Sequence, residues 1–236
     1  TSHAAIVSRE LGVPCVVGTQ TATKILKSGA IITLNGTSGE IFKGHLNLRS
    51  RAIHLQSYPS PLDHRPPGLK TATQVYVNLA EPEAAQRVAG RNVDGIGLLR
   101  AEFMIANLGA HPKKIIADGQ QKDYIHHLAK DIAKFCTAFH PRPVIYRATD
   151  FKTNEYRALK GGEHFEPIES NPMLGFRGAL RYITNPDVFN LELEAIKHVR
   201  HKLELKNLHL MIPFVSTVDE LAQVKKLVAA TGLYRS

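Results

Sequence analysis

From residue 75 onwards, short apolar runs alternate with longer helical ones, and that rhythm constrains the fold more than any other feature. VYVNLA (75–80), GIGLLR (95–100), PVIYR (143–147) and LHLMIPFV (208–215) have strand length and strand composition. EPEAAQRVAG (81–90) reads as a helix stopped by Gly90, and helical material fills the stretch to about residue 139. NPDVFNLELEAIKHVRHKLEL (185–205) predicts a helix with Asn185 as cap, Pro186 in its first turn and Asp187 near its positive end. Phe189, Leu193, Ile196, Val199 and Leu203 recur along it at helical spacing. STVDELAQVKKLV (216–228) predicts a last helix, with Thr217 and Glu220 in a capping-box pattern. Alternation of this kind implies an α/β fold with parallel strands joined by right-handed crossovers. Four strand–helix units can make a doubly wound sheet, whereas an eight-fold barrel needs four more, so the rhythm alone leaves both architectures open.

The first 56 residues have another character. SHAAIVSRELG (2–12) reads as a short helix stopped by Gly12 and Pro14. CVVGT (15–19), AIITLNG (30–36) and GEIFKG (39–44) read as strands separated by glycine turns. SYPSPLDHRPPG (57–68) is dense in proline, which extends a chain and blocks both helix and sheet. The expected division is therefore a small unit at 1–56, a linker at 57–70 and an α/β unit at 71–236.

Several function classes recede. No apolar run approaches the 18 residues of a membrane-spanning helix. The net charge of +9 comes from scattered Lys and Arg without a tract or an aromatic-interleaved stripe, which argues against nucleic acid. The two cysteines, Cys15 and Cys136, have no metal or redox spacing and fit a reduced, cytoplasmic chain. Cys136 lies in a helical apolar stretch and reads as core. His198 and His201 are three apart on one helix, but no acidic or cysteine partner is placed to complete a metal site. The chain starts at Thr1 and not at methionine, so it is expected to be an internal piece of something longer.

Four positions carry the chemistry. His3 falls in the first turn of the first helix, where the dipole favours a neutral, nucleophilic imidazole and free N–H groups suit a phosphoryl group. Ala4 and Ala5 leave room for it, although a surface cap explains the same histidine. Arg100 and Arg147 close two strands, where α/β proteins build their sites, and two guanidiniums there would clamp a carboxylate or phosphate. Unrelated surface ion pairs explain them equally. Arg177, in NPMLGFRG (171–178) with the polar Asn171, offers a third arginine. ATDFKTNEY (148–156) follows a strand and gathers Asp150, Lys152, Asn154 and Glu155.

These segments together carry a resemblance. TSHAAIVSRELGVP is similar to the phosphohistidine swivelling domain of the phosphoenolpyruvate-utilising enzymes. DGIGLLRAEFMI, VIYRATDFKTNEY, NPMLGFRGALRY and MIPFVSTV resemble successive pieces of that family's barrel domain. Within the family, ATDFKTNEY is similar to the branch that uses pyruvate and water. Pyruvate phosphate dikinases and enzyme I of the sugar phosphotransferase system carry other sequences after that arginine.

The resemblance implies the C-terminal piece of the swivelling domain followed by the first half of a (β/α)₈ barrel. It implies an ATP-grasp domain, absent here, that pyrophosphorylates His3 and releases AMP. Water then removes the outer phosphate, and the phosphohistidine phosphorylates pyruvate to phosphoenolpyruvate. Arg100, Arg147, Arg177 and Asn171 match substrate-binding positions, and Thr1 matches a threonine targeted by a regulatory phosphotransferase. Mg²⁺ is implied, with its acidic ligands and a proton-donating cysteine in the absent half of the barrel. Neither Cys15 nor Cys136 matches that cysteine. A cytoplasmic homodimer, without nucleic-acid or membrane partners and inactive as this piece alone, completes the expectation. The alternatives are a dikinase or another family phosphotransferase, or a phosphocarrier-like module that binds a partner without turnover.

Overall fold

The computed structural model describes residues 4–5, 8, 12–46 and 72–234. His3, Thr1 and the linker at 57–70 lie outside the described residues. The chain divides into two compact units, Thr1–Pro67 and Gly68–Ser236.

In the first unit Ala4, Ala5 and Ser8 are helical. Gly12 then turns at φ +70°, and the Val13 N–H donates to the Ser8 carbonyl over 2.8 Å, a helix ending that needs a residue free to adopt positive φ. A one-turn helix, α1 (Ala22–Ile25), precedes an antiparallel pair, β1 (Ile32–Asn35) and β2 (Glu40–Lys43), in register from Ile32↔Lys43 to Asn35↔Glu40. Asn35 makes the turn between them by accepting the N–H groups of Thr37 and Ser38 at its side-chain oxygen. CVVGT is not a strand: residues 13–19 run irregularly, with no ladder partner among the described residues. Val13 and Val17 are 55% and 44% exposed, so three apolar residues without a neighbouring strand do not form one.

The second unit is a four-stranded parallel sheet in the order β3 (Tyr76–Leu79), β4 (Gly95–Arg100), β5 (Val144–Arg147), β6 (Leu208–Met211). Its helices follow in chain order as α2 (Ala85–Ala89), α3 (Ala101–Ala106), α4 (Pro112–Ala117), α5 (Gln121–Phe139), α6 (Thr153–Arg157), α7 (Ala179–Thr184), α8 (Pro186–Lys197) and α9 (Val218–Ala230). The strands end close to where the sequence places them, except β6. Pro213 lacks the N–H a ladder needs and Phe214 adopts φ +50°, so pairing stops at Met211. Asn185 precedes α8 without capping it: its side-chain oxygen accepts from Lys113 over 2.7 Å instead. Beyond Lys197 the helix widens into one π turn, His198–Lys202, and Leu203 ends 46% exposed outside the core stripe. Thr217 does cap α9 by accepting from the Glu220 N–H, while the Glu220 carboxylate reaches the Ser216 N–H.

One face of the sheet packs into the core. Ile96, Leu99, Val144, Tyr146 and Leu208 form a layer of core side chains with Leu128, Ile132, Phe135, Cys136 and Phe139 of α5 and Leu193 and Ile196 of α8. Each contributes about 2 kcal/mol by leaving water. Burial pushes the Cys136 thiol up to about 12, against the lowering charge of Arg200, so it is a core residue and not a reactive one. The opposite face, bearing Ile145, Arg147, His209 and Met211, is more open.

Candidate active site

The parallel register sets Arg100 beside Arg147, so the last residues of β4 and β5 project on the same side of the sheet, one strand spacing apart. Two adjacent cations repel unless carboxylates lie near, and two stand beside Arg147. α3 begins directly after Arg100, which places Glu102 in its first turn. Glu102 Oε1 accepts from Arg147 Nη2 over 2.7 Å and from the Asp150 N–H over 2.9 Å. Asp150 binds Arg177 through both oxygens, from Nε at 2.9 Å and Nη2 at 2.7 Å, and lies 3.7 Å from Arg147 Nη1. The fork-to-fork geometry fixes Arg177 as a lysine could not. Its guanidinium also lies 3.8 Å from the centre of the Phe214 ring.

Three arginines against two carboxylates leave one net positive charge. The Arg100 side chain has no hydrogen-bond or ion-pair partner among the described residues, and Arg147 Nε is buried without an acceptor. A buried donor left unbonded costs about 1–3 kcal/mol, so the cluster has unused affinity for an anion bearing several oxygens. Asn171 is not drawn in: it is exposed, and its side-chain oxygen closes a local turn with the Met173 N–H.

A second, buried triad holds the segment that delivers Arg177. Arg181 meets both oxygens of Glu166 at 2.6 and 2.9 Å, and His111 Nε2 bonds Glu166 Oε1 at 2.9 Å. His111 Nδ1 accepts the Lys113 N–H at the start of α4, so Nε2 carries the proton and donates. Burial works against the Glu166 charge, but the bonds from His111 and Arg181 outweigh it and hold the carboxyl below its usual range. Arg181 also donates to the Phe176 carbonyl, next to Arg177, and its guanidinium packs on the rings of Tyr156 and Phe176. Gly178 finishes the segment at φ +59°. A Cβ there would stand 2.5 Å from that of Phe214 and 2.6 Å from the Pro213 carbonyl, so Gly178→Ala should cost about 2 kcal/mol or more in chemical denaturation. None of His111, Glu166 and Arg181 is distinguished by sequence, because their contacts cross 55 and 15 residues.

Glu192, on α8 beneath the cluster, is also invisible from the sequence. Its Oε2 accepts from the Tyr146 hydroxyl at 2.9 Å and the Thr149 N–H at 3.0 Å. Burial raises its carboxyl to about 7, with the charge of Glu102 adding to the rise and the bonds from Thr149 and Tyr146 opposing it. A raised pKa means that the folded chain holds the proton more tightly than the unfolded chain. That stability is present below about pH 4.5 and is lost as pH rises through about 7. Glu192→Gln is therefore expected to leave the melting temperature nearly unchanged at pH 4. At pH 8 it should raise stability by up to about 3 kcal/mol, read as a pH-dependent gap between the two melting curves.

Among the described residues no three His, Cys, Asp or Glu side chains stand together to hold a metal. Asp150 meets Arg177 through both oxygens, whereas Glu102 meets Arg147 through Oε1 and keeps Oε2 buried without a partner. His198 and His201 are both exposed. No helix among the described residues is long and apolar enough to cross a membrane.

Arg100 and Arg147 thus stand together at the strand ends of a parallel sheet, where α/β proteins build their sites. Residues 66–233 match the family model of the PEP-utilising enzyme, PEP-binding domain, and residues 1–39 match that of the PEP-utilising enzyme, mobile domain. The chain belongs to the PEP-utilising enzyme family. It is 45% identical over 98% of its length to a probable phosphoenolpyruvate synthase of Methanocaldococcus jannaschii, covering 19% of that protein. It is 44% identical over 100% of its length to a probable phosphoenolpyruvate synthase of Staphylothermus marinus, covering 29% of it. The phosphoenolpyruvate synthase of Pyrococcus furiosus is 44% identical over 99% of the chain, which covers 28% of that enzyme. The chain thus spans less than a third of the length of these relatives.

Proposed function

We propose that the chain is an internal piece of a phosphotransferase that makes phosphoenolpyruvate, AMP and phosphate from pyruvate, ATP and water. Residues 1–56 are the end of its phosphohistidine domain, with His3 the carrier, and 57–70 are the linker. Residues 71–236 are the first half of a (β/α)₈ barrel. The observation that carries this reading is the pairing of Arg100 with Arg147 in register at the strand ends, with donors to spare. The names of the relatives and the match to the PEP-binding domain support it.

In this reading Arg100 and Arg147 grip the carboxylate of pyruvate and the transferring phosphoryl group. Arg177, locked on Asp150, supplies fixed positive charge beside them. Charge that develops on the enolate oxygen meets donors already in place, so little reorganisation is needed at the moment of transfer. Mg²⁺, when bound, would add Lewis-acid stabilisation through ligands outside the described residues. The complete protein works in the cytoplasm as a homodimer, this piece alone is inactive, and phosphorylation of Thr1 would repel the incoming ATP phosphates.

The test is product analysis of the complete protein. With ATP and pyruvate it should form phosphoenolpyruvate and AMP and release orthophosphate without any phosphate supplied. A requirement for added orthophosphate, with pyrophosphate as product, would make it a dikinase instead.

A further inference from the structure

We infer that Glu192 is a positioning residue of the arginine site, holding the Tyr146 side chain before Arg147 and the Thr149 backbone after it and thereby setting where Arg147 and Asp150 point. The inference rests on the reading of that site as the phosphoenolpyruvate pocket.

The geometry is specific. Tyr146 precedes Arg147 in β5, and Thr149 precedes Asp150 in the loop after it. One oxygen of Glu192 bonds the side chain of the first and the N–H of the second. The carbonyl of Thr149 is held in turn by the Tyr182 hydroxyl at 2.6 Å, and the Tyr182 ring stacks on Phe189 of α8 at 4.3 Å. Both backbone groups of Thr149 are thus tied to the α7–α8 layer, and Asp150 cannot shift without breaking them. Val188, Leu191, Leu193, Ala195 and Ile196 of α8 are all buried, so an apolar residue at 192 would suit the helix better. The carboxylate is retained against its desolvation cost, and its bonds go to the two residues flanking the Arg147–Ala148 step.

The groups facing Glu192 from each neighbouring element are Tyr146 of β5, Tyr124 of α5, Tyr156 of α6, Tyr182 of α7 and Glu102 of α3. Burial holds the four tyrosines well above their ordinary range, so they stay neutral where Glu192 titrates. An ionised acceptor binds an N–H more strongly than a neutral one, so the hold on Thr149 tightens as Glu192 loses its proton.

The experiment measures the Kd of phosphoenolpyruvate on the complete protein from pH 5.5 to 8.5, for wild type, Glu192→Gln and Tyr146→Phe. Taking each variant as a ratio to wild type cancels the ionisation of the ligand itself. The Glu192→Gln ratio should be near one below pH 6 and climb to about tenfold at pH 8.5, with a midpoint near the pKa of about 7. Tyr146→Phe removes a bond that favours the ionised form, so its ratio should peak around neutrality as the step moves to higher pH. If Glu192→Gln loses its near-ultraviolet circular dichroism, the Tyr146→Phe ratio decides alone. Ratios that do not vary with pH overturn the inference while leaving the substrate reading intact. A wild-type protein that does not bind phosphoenolpyruvate overturns both.

Discussion

Arg147→Lys in the complete protein is expected to slow phosphoenolpyruvate formation about a hundredfold or more, the loss of roughly 3 kcal/mol of transition-state stabilisation. Lysine keeps the charge but not the fork. In the structure one arm of Arg147 is committed to Glu102 at 2.7 Å, and a second arm lies 3.7 Å from Asp150. A guanidinium can hold those partners and still offer edges to substrate, because its donors point in fixed, divergent directions. An ammonium has one centre, which must choose between Glu102 and the ligand. Steady-state kinetics should show the fall mainly in kcat, because orientation of the reacting groups is what is lost. Transfer from ATP to the carrier histidine should survive, since the proposal assigns it to another domain. A variant that stays folded but no longer phosphorylates that histidine would show that Arg147 acts elsewhere.

His3→Ala should abolish phosphoryl transfer altogether. Complete protein given ATP labelled at the β-phosphate should acquire a label stable to base and labile to acid, as an N–P bond requires. His3→Ala should carry none, because alanine offers no nucleophile and neither Ala4 nor Ala5 can replace it. Full labelling of the variant would reduce His3 to a helix cap and remove the carrier role from residues 1–56.

The two arginines that end strands were legible because strand ends are visible in sequence. GIGLLR and PVIYR finish where β4 and β5 finish, and position within a parallel sheet implies proximity to a site. Asp150 was visible only as one of several polar residues in a loop; nothing local says that it binds Arg177 bidentately across 27 positions. Glu102 looks like an ordinary acidic residue in a helix first turn, a favourable place on dipole grounds alone. Glu192 lies within an apolar helical stripe, where a charge normally signals the solvent face, and only packing shows it buried. The failures at CVVGT and at the end of LHLMIPFV have one cause. Apolar composition proposes a strand, but an available neighbour and an N–H at each pairing position decide it. Asn185 shows competition of the same kind: a residue suited to capping gave its side chain to Lys113 because tertiary structure offered a charged donor.

The central claim is that the ends of β4 and β5 form the phosphoenolpyruvate pocket. A crystal structure of the complete protein soaked with phosphoenolpyruvate tests it most directly. The account predicts carboxylate and phosphate oxygens within about 3 Å of the guanidinium nitrogens of Arg100 and Arg147, with Arg177 still forked onto Asp150. Phosphoenolpyruvate bound elsewhere, with Arg100 and Arg147 untouched by it, would contradict the account.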